Sequence, residues 1–299
     1  MTDSSSKTAG WQDYLELTKP KVVLLLMVTA IAGMFLATNP AGMVPIDILI
    51  YASVGLSLAM GASAVVNHVV DQRIDMLMAR THNRPVASGK IKPLPALLFA
   101  VVLTASSLTI LDFFVNRITA VLTFLGVIGY AIIYTLYLKR ATPQNIVIGG
   151  LAGAIPPLLG WTSVTNSIDP EAFALVLIIF IWTPPHFWAL AIHRRDDYAK
   201  AEIPMLPVTH GIDFTKTNIL YYTILLFITA LIPFLIRMSG LIYLVSALIL
   251  GFVFMAYAIK LKYFPESSTP MKTFGFSITY LFLLFIALLV DHYFLIYLV

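Results

Sequence analysis

Residues 46–66 read IDILIYASVGLSLAMGASAVV, an apolar run whose one charged residue is Asp47. A helix needs about 20 mostly apolar residues to span a bilayer, so this run predicts a transmembrane helix. The whole chain has the same character, because 59% of its 299 residues are hydrophobic, 11% are charged and the mean hydropathy is +0.89. Soluble domains carry roughly 25% charged residues. The composition therefore predicts an integral membrane protein and excludes soluble and intrinsically disordered chains.

Further apolar runs of this kind are separated by polar breaks, and none shows the two-residue alternation of a membrane β-strand. The sequence predicts an all-α integral membrane protein with nine transmembrane helices in one bundle. Residues 1–20 are predicted to form a cytoplasmic N-terminal tail, and residues 21–299 a single nine-helix domain. The predicted spans are 21–38, 46–66, 94–113, 117–138, 144–163, 172–192, 218–237, 241–262 and 274–297.

The basic residues lie almost entirely on one side of the predicted bundle. Of the 19 Lys and Arg residues, only Arg117 and Arg237 fall on the other side. Because short cytoplasmic loops are rich in Lys and Arg, the N-terminus is predicted in the cytoplasm and the C-terminus in the periplasm. The N-terminal segment lacks the apolar core of a signal peptide, which favours a bacterial inner membrane. The basic excess thus indicates loops beside a lipid bilayer and no nucleic acid partner.

The polar segment after the second predicted span holds acidic residues at helical spacing. Asn67, Asp71 and Asp75 recur at every fourth position, which places them on one face if the helix continues. Two carboxylates one turn apart repel each other, whereas Mg²⁺ prefers one or two carboxylates together with substrate phosphates. Arg80 and Arg84 are suited to hold phosphate oxygens. The alternative is an acidic helix end on a solvated loop, and the joint occurrence of these residues favours the site.

A second charged loop follows the sixth predicted span, where Asp196, Asp197 and Lys200 stand among further basic residues. Metal-binding carboxylates and phosphate-binding cations interleave in this way, although a solvated charged loop explains the same pattern. His186 lies within the sixth span, in an aromatic and Pro-rich setting. An ionisable residue inside a membrane span is a functional candidate by default. The alternative is a histidine that only packs between helices.

Three stretches carry a family resemblance. The pattern Asn-x-x-x-Asp-x-x-x-Asp followed by Met-x-Arg-Thr-x-x-Arg-Pro, over residues 67–85, resembles the first signature of the intramembrane aromatic prenyltransferases. Pro-Pro-His-Phe-Trp at 184–188 and Ile-Pro-Met-Leu-Pro at 203–207 are most similar to the branch that farnesylates haem. Two departures stand out: Gln72-Arg73 replaces a common Arg-Asp pair, and Asp196-Asp197 are adjacent where other branches have a spaced Asp-x-x-x-Asp.

The resemblance implies a Mg²⁺-dependent transfer of the farnesyl group of farnesyl diphosphate to a vinyl group of haem b, with water addition, giving haem o and diphosphate. The product would pass to a haem A synthase or a terminal oxidase. His186 and, as a weaker alternative, His68 are implied to contact haem. The remaining implied roles are catalysis for Asn67, Asp71, Asp75 and Lys200, diphosphate binding for Arg80, Arg84, Lys139 and Arg140, and metal binding for Asp71, Asp75, Asp197 and Asp196.

Two other functions remain open at this point. One is an aromatic prenyltransferase with a quinone or chlorophyll precursor as acceptor, which the Pro-Pro-His-Phe-Trp stretch and the unspaced second Asp pair disfavour. The other is a secondary transporter, which would place its polar binding site near the midplane of the membrane. The Asp residues are instead predicted to cluster at one surface of the membrane. Lys139 and Arg140, at the end of the fourth span, are explained equally well as positive-inside anchors.

Overall fold

The computed structural model describes residues 9–78, 81–138 and 141–294 of the chain. These residues form helices joined by turns and short loops, with no strand among them, which confirms the predicted all-α class. In chain order the helices are α1 (Trp11–Leu17), α2 (Pro20–Leu36), α3 (Ile46–Val70), α4 (Gln72–Leu77), α5 (Pro93–Phe114), α6 (Arg117–Ile128), a π-helix (Gly129–Leu138), α7 (Asn145–Ala154), α8 (Pro156–Thr165), α9 (Pro170–His193), α10 (Arg195–Lys200), α11 (Leu206–Thr209), α12 (Ile212–Thr229), α13 (Ile232–Leu235), α14 (Leu241–Tyr263) and α15 (Thr269–Tyr293).

Within the described residues, eight helices are long and apolar enough to cross a membrane. They correspond to the second through ninth predicted spans. The first predicted span, 21–38, is α2, whose 17 residues reach spanning length only when α1 is added across a bend of 49°. The number of nine spans therefore stays a prediction, whereas the multi-pass helical architecture is confirmed.

Several helices extend beyond the apolar runs that predicted them. The seventh span begins at Ile212 and the ninth at Thr269, where the sequence predicts starts at 218 and 274. Both extensions contain a lysine, Lys216 or Lys272. An apolar run marks the part of a helix that lies in hydrocarbon, and a helix continues into the interfacial layer without needing apolar residues. The predicted starts were wrong by about one turn or more for this reason.

Helices α2 and α8 pack unusually closely, at two glycines. A Cβ atom on Gly33 would lie 2.2 Å from the carbonyl oxygen of Pro157, and one on Gly160 would lie 1.8 Å from that of Ala30. Neither position therefore accepts a side chain without moving the backbone. Small residues allow such close approach between membrane helices. The contact fixes α2 and α8 as adjoining walls of the cavity described below.

Part of the predicted N-terminal tail folds onto the bundle. Leu17 of α1 is fully buried with Val65 of α3 and with Val86 and Ile91 of the loop between α4 and α5. The Tyr14 ring also packs edge-on against Phe99 of α5, with the ring centroids 5.2 Å apart. Helix α1 thus braces the end of α3, where the candidate site residues lie.

Candidate functional site

The junction of α3 and α4 brings Asn67, Asp71 and Asp75 together. The helix is interrupted at Asp71, yet backbone hydrogen bonds run from Asp71 N to Asn67 O (2.9 Å) and from Asp75 N to Asp71 O (2.8 Å). These bonds keep the three residues in four-residue register across the break. All three side chains are buried. The predicted continuous helix is therefore replaced by two helices that preserve the predicted shared face.

Four hydrogen bonds join these residues to one another and to two basic side chains. Asn67 Nδ2 donates to Asp71 Oδ2 at 2.8 Å, and Arg84 Nη1 donates to both carboxylate oxygens of Asp75 at 2.8 and 2.9 Å. Lys19 Nζ donates to Asn67 Oδ1 at 2.5 Å. We call Lys19, Asn67, Asp71, Asp75 and Arg84 the Asp71–Asp75 cluster. Buried charges are stable when they are paired and hydrogen-bonded, and this cluster meets that condition in part through Arg84.

Lys19 is a member of the cluster that the sequence did not single out. It stands at the bend between α1 and α2, with a left-handed backbone (φ 50°, ψ 61°). Such a conformation is uncommon for a residue other than glycine and marks positions worth functional attention. In the sequence, a lysine before an apolar run predicts a membrane-surface anchor. Its contact with Asn67 spans 48 residues, so no local pattern indicates it.

A largely apolar cavity of about 370 Å³ opens between α2, α3, α6, the π-helix, α7, α8 and α9. Lys19 lines one part of it, and Ser63 and Ala64 line it one turn before Asn67. The cavity therefore begins beside the Asp71–Asp75 cluster. Ligand sites in helical bundles are commonly apolar cavities with a few polar groups.

Tyr130 and Tyr134 link the cavity to the cluster. Both residues line the cavity, lie on the π-helix and are near Asp71. Their rings lie 5.5 Å apart. A π-helical turn within an α-helix is often found at a functional site. The two phenols thus add polar groups to a largely apolar chamber.

The two histidines predicted to contact haem occupy different places. His186 is buried, lines the cavity and is hydrogen-bonded through Nδ1 to Ser277 Oγ at 2.7 Å. His68 is also buried, but it lies near Lys19 and Arg84 and is not among the residues that line the cavity. Neither ring nitrogen of His68 has a hydrogen-bond partner among the described residues. Of these two histidines, His186 is therefore the one that lines the cavity.

The second charged loop has a different geometry. Asp196, Asp197 and Lys200 lie on the short helix α10, where Asp196 and Lys200 are exposed. Asp197 forms an ion pair with Arg194 at 3.7 Å. Within residues 9–78, 81–138 and 141–294, no three His, Asp or Glu side chains form a group that could hold a metal ion. The structure therefore brings the first-loop residues Asn67, Asp71 and Asp75 together, and the two loops meet in a hydrophobic cluster that includes Met78 and Ile203.

The Ile-Pro-Met-Leu-Pro stretch after α10 has a packing role. Ile203, Met205 and Leu206 are buried in one hydrophobic cluster with Trp188. Arg195 Nε also donates to the Pro207 carbonyl at 3.1 Å. These contacts hold α10 against the end of α9. Three residues predicted to bind diphosphate, Arg80, Lys139 and Arg140, lie outside the described residues.

The comparisons with known proteins agree on one family. The model of the UbiA prenyltransferase family matches residues 26–290. The protoheme IX farnesyltransferase of Alcanivorax borkumensis is 67% identical over 288 residues, which are 96% of this chain and 95% of the relative. Protoheme IX farnesyltransferase 2 of Pseudoalteromonas atlantica is 59% identical, over 95% of this chain and 92% of the relative.

Solved structures share the fold at lower sequence identity. A digeranylgeranylglyceryl phosphate synthase structure has a TM-score of 0.80 at 20% identity, over 95% of this chain and 99% of its own. A UbiA homologue from Archaeoglobus fulgidus, bound to GPP and Mg²⁺, has a TM-score of 0.63 at 16% identity, over 92% of this chain and 99% of its own. At these identities the likeness concerns the arrangement of helices.

Proposed function

The chain belongs to the UbiA prenyltransferase family, and we propose that it transfers the farnesyl group of farnesyl diphosphate to a vinyl group of haem b, with addition of water, giving haem o and diphosphate. The observation that carries the choice of substrates is the 67% identity, over nearly the full length of both chains, to a protoheme IX farnesyltransferase. The cavity that joins the Asp71–Asp75 cluster to His186 supports the same reaction.

We place the diphosphate at the Asp71–Asp75 cluster. Lys19 and Arg84 supply positive charge there, and the cavity beside them offers an apolar path for the farnesyl chain. Arginine is well suited to phosphate oxygens because its planar guanidinium donates several hydrogen bonds. Arg80, Lys139, Arg140 and Lys200 are further predicted diphosphate or catalytic contacts. A cation beside a departing diphosphate stabilises the charge that develops on it.

The donor chemistry of the cluster fits a hard divalent cation. Asp71 and Asp75 offer carboxylate oxygens and Asn67 an amide oxygen, which are the ligands Mg²⁺ prefers alongside substrate phosphates. We propose that Asp71 and Asp75 hold Mg²⁺ with the diphosphate, and that Asp196 and Asp197 contribute from the second loop. When bound, the ion stabilises the leaving diphosphate as a Lewis acid. Arg84 occupies both oxygens of Asp75 here, so its guanidinium must turn towards the diphosphate.

The reaction then follows from a diphosphate at the cluster and a haem in the adjoining cavity. The bond between C1 of the farnesyl chain and the diphosphate oxygen breaks, and its electron pair leaves with diphosphate. The π electrons of the haem vinyl group attack the allylic cation and form a carbon–carbon bond. The new cation, beside the porphyrin ring, takes the oxygen of a water molecule, which releases one proton. The apolar walls keep other water from the first cation.

We place haem b in the same cavity, against His186. His186 is the histidine that lines the cavity, on the face formed by α9. A neutral imidazole binds haem iron as an axial ligand. Such contact would hold the porphyrin at a fixed distance from the cluster. His68 becomes the candidate if His186 proves to be a packing residue only.

The membrane arrangement completes the proposal. We propose nine spans in the bacterial inner membrane, with the N-terminus and the active site on the cytoplasmic side and the C-terminus in the periplasm. A C-terminal alkaline phosphatase fusion is then active and a C-terminal fluorescent protein is dark. The reverse pattern would overturn the count of nine spans. Haem o made at this site would be handed to a haem A synthase or a terminal oxidase.

The direct test is product formation. Membranes containing the protein are incubated with labelled farnesyl diphosphate and haem b, with Mg²⁺ or with EDTA, and the extracted pigments are identified by mass. We expect haem o in the Mg²⁺ sample alone. Label transferred to a quinone precursor but not to haem b would contradict the acceptor, and the absence of any transfer would contradict a prenyltransferase.

The cavity has its own test. Gly153 lines the cavity and has open space where a Cβ would stand, so Gly153→Leu should fill part of the chamber and lower haem o formation at least about tenfold, or 1.4 kcal/mol. Gly275 has equally open space but lies exposed on α15. The matched variant Gly275→Leu should therefore keep near-normal turnover. Equal losses of haem o formation in both variants would contradict a role of the cavity in the reaction.

A further inference from the structure

Two aromatic rings fix the plane of the His186 imidazole. The Trp182 ring stacks on one side with centroids 4.2 Å apart and planes 20° apart. Phe274 of α15 stacks as well, at 4.5 Å and 26°. A histidine that is only required to fill space needs no such pair of parallel neighbours. The stacked rings fix the plane of the imidazole but not its rotation within that plane. That rotation is set by hydrogen bonds at the edge of the ring.

Ser277 supplies that in-plane bond. Its Oγ lies 2.7 Å from His186 Nδ1 and 2.6 Å from the carbonyl oxygen of Phe274. A carbonyl oxygen only accepts hydrogen bonds, so the short oxygen–oxygen distance requires the hydroxyl hydrogen to lie between them. Because a serine hydroxyl has one hydrogen, its oxygen must accept from His186. The proton of the neutral imidazole is therefore on Nδ1.

The other ring nitrogen, Nε2, is then a lone-pair donor. It has no hydrogen-bond partner among residues 9–78, 81–138 and 141–294, although the His186 side chain is buried and lines the cavity. Ser277 also accepts, through its own carbonyl oxygen, the indole hydrogen of Trp182 at 2.8 Å. One residue of α15 thus orients both the imidazole and the ring stacked on it.

We infer that Ser277 is a positioning residue for the acceptor substrate: it holds His186 in the Nδ1–H tautomer, so that the Nε2 lone pair is presented to the iron of haem b. The inference rests on the proposed function, since it takes haem as the ligand of the cavity. A hydrogen bond to the distal nitrogen of a metal-binding histidine fixes the ring and raises its basicity. Loss of such a bond typically costs 10- to 100-fold in metal affinity.

The experiment titrates purified protein with ferric haem b and records the Soret band and the dissociation constant. Ser277→Ala should weaken haem binding by roughly 10- to 100-fold, and His186→Ala should lose the imidazole-ligated spectrum. Ser277→Thr keeps the hydroxyl and should restore both readouts to within about threefold of wild type, less than 1 kcal/mol.

The matched control is Thr273→Val. Thr273 lies one turn before Ser277, is equally buried and bonds through its hydroxyl to the Thr269 carbonyl at 2.9 Å. The Thr273→Val variant therefore loses a buried hydroxyl of the same helix that is not bonded to His186. Its haem affinity should stay near that of wild type. Equal weakening in Thr273→Val and Ser277→Ala, or no weakening in Ser277→Ala, would overturn the inference.

Two further measurements keep the outcome decisive. If Ser277→Ala cannot be purified, the ¹⁵N NMR spectrum of histidine-labelled wild type, compared with His186→Ala, reports the tautomer directly: a proton on Nδ1 supports the inference and a proton on Nε2 overturns it. Haem o formation by wild type is assayed in parallel. If wild type forms haem o but His186→Ala binds haem normally, the inference is overturned and the proposed function stands. If wild type forms no haem o, the function itself is contradicted.

Discussion

The two charged loops look alike in sequence and differ sharply in structure. In the first, Asp71 and Asp75 are 2% and 4% exposed and belong to a hydrogen-bonded cluster with Asn67 and Arg84. In the second, the Asp197 side chain is 46% exposed and its ion pair with Arg194 is 3.7 Å long. The difference shows that acidic residues on neighbouring loops need not have equal roles.

The physical basis of the difference is desolvation. A buried carboxylate without partners is strongly unfavourable, so a pair such as Asp71 and Asp75 persists where other groups or a bound cation compensate it. An exposed ion pair contributes about 0–1 kcal/mol and carries little information about function. We therefore expect the first loop to dominate diphosphate chemistry and the second to modulate it. The following variants, taken from the largest expected effect to the smallest, test this ranking.

The largest effect is expected at the buried carboxylates. Asp71→Asn or Asp75→Asn keeps the side-chain size but removes an anionic ligand, so the initial rate of haem o formation should fall at least about 100-fold, on the scale of removing one preorganised electrostatic group. Membrane insertion should persist and is checked by protein level in the membrane fraction. A near-normal rate in either variant would remove that residue from the proposed metal site.

A smaller loss is expected at Arg84, which holds Asp75 in this structure. Arg84→Ala should weaken binding of a farnesyl diphosphate analogue by about 1.5–3 kcal/mol, the range for a hydrogen bond to a charged group. Arg84→Lys keeps the charge without the planar fork and should recover part of that loss. The measurement is the dissociation constant of the analogue at fixed Mg²⁺, with haem affinity as the control. Unchanged analogue binding in Arg84→Ala would limit Arg84 to a structural partner of Asp75.

The smallest effects are expected in the second loop. Asp197→Asn and Asp196→Asn should lower turnover by less than about tenfold, or 1.4 kcal/mol, because Asp196 is exposed and Asp197 is partly exposed in the structure. The rate is measured beside that of Asp71→Asn at the same Mg²⁺ concentration. A loss at Asp197 as large as that at Asp71 would show that the second loop closes over the diphosphate as an equal metal ligand.

Much of the fold is encoded locally and was accessible from the sequence. Eight spans follow from apolar runs such as 46–66, and the four-residue spacing of Asn67, Asp71 and Asp75 placed them on one face. The broken helix at Asp71 was missed, because an interruption that preserves the hydrogen-bond register leaves no mark on residue spacing.

The contacts that complete the site are long-range and were not accessible. Lys19 meets Asn67 across 48 residues, and Ser277 meets His186 across 91. A lysine at the start of a span and a serine within one are explained by interfacial anchoring and helix packing, so sequence alone does not distinguish their roles. The sequence left Asp196 and Asp197 open between metal ligands and a solvated charged loop, and their exposure could be learned only from the folded chain.

The ranking of the two loops is tested most directly by the Mg²⁺ dependence of binding of a non-hydrolysable farnesyl diphosphate analogue, measured calorimetrically on wild type, Asp71→Asn and Asp197→Asn. The account predicts Mg²⁺-dependent binding in wild type, its retention in Asp197→Asn and its loss in Asp71→Asn. Equal binding with and without Mg²⁺ in wild type, or retention in Asp71→Asn together with loss in Asp197→Asn, would contradict the assignment of the diphosphate to the Asp71–Asp75 cluster.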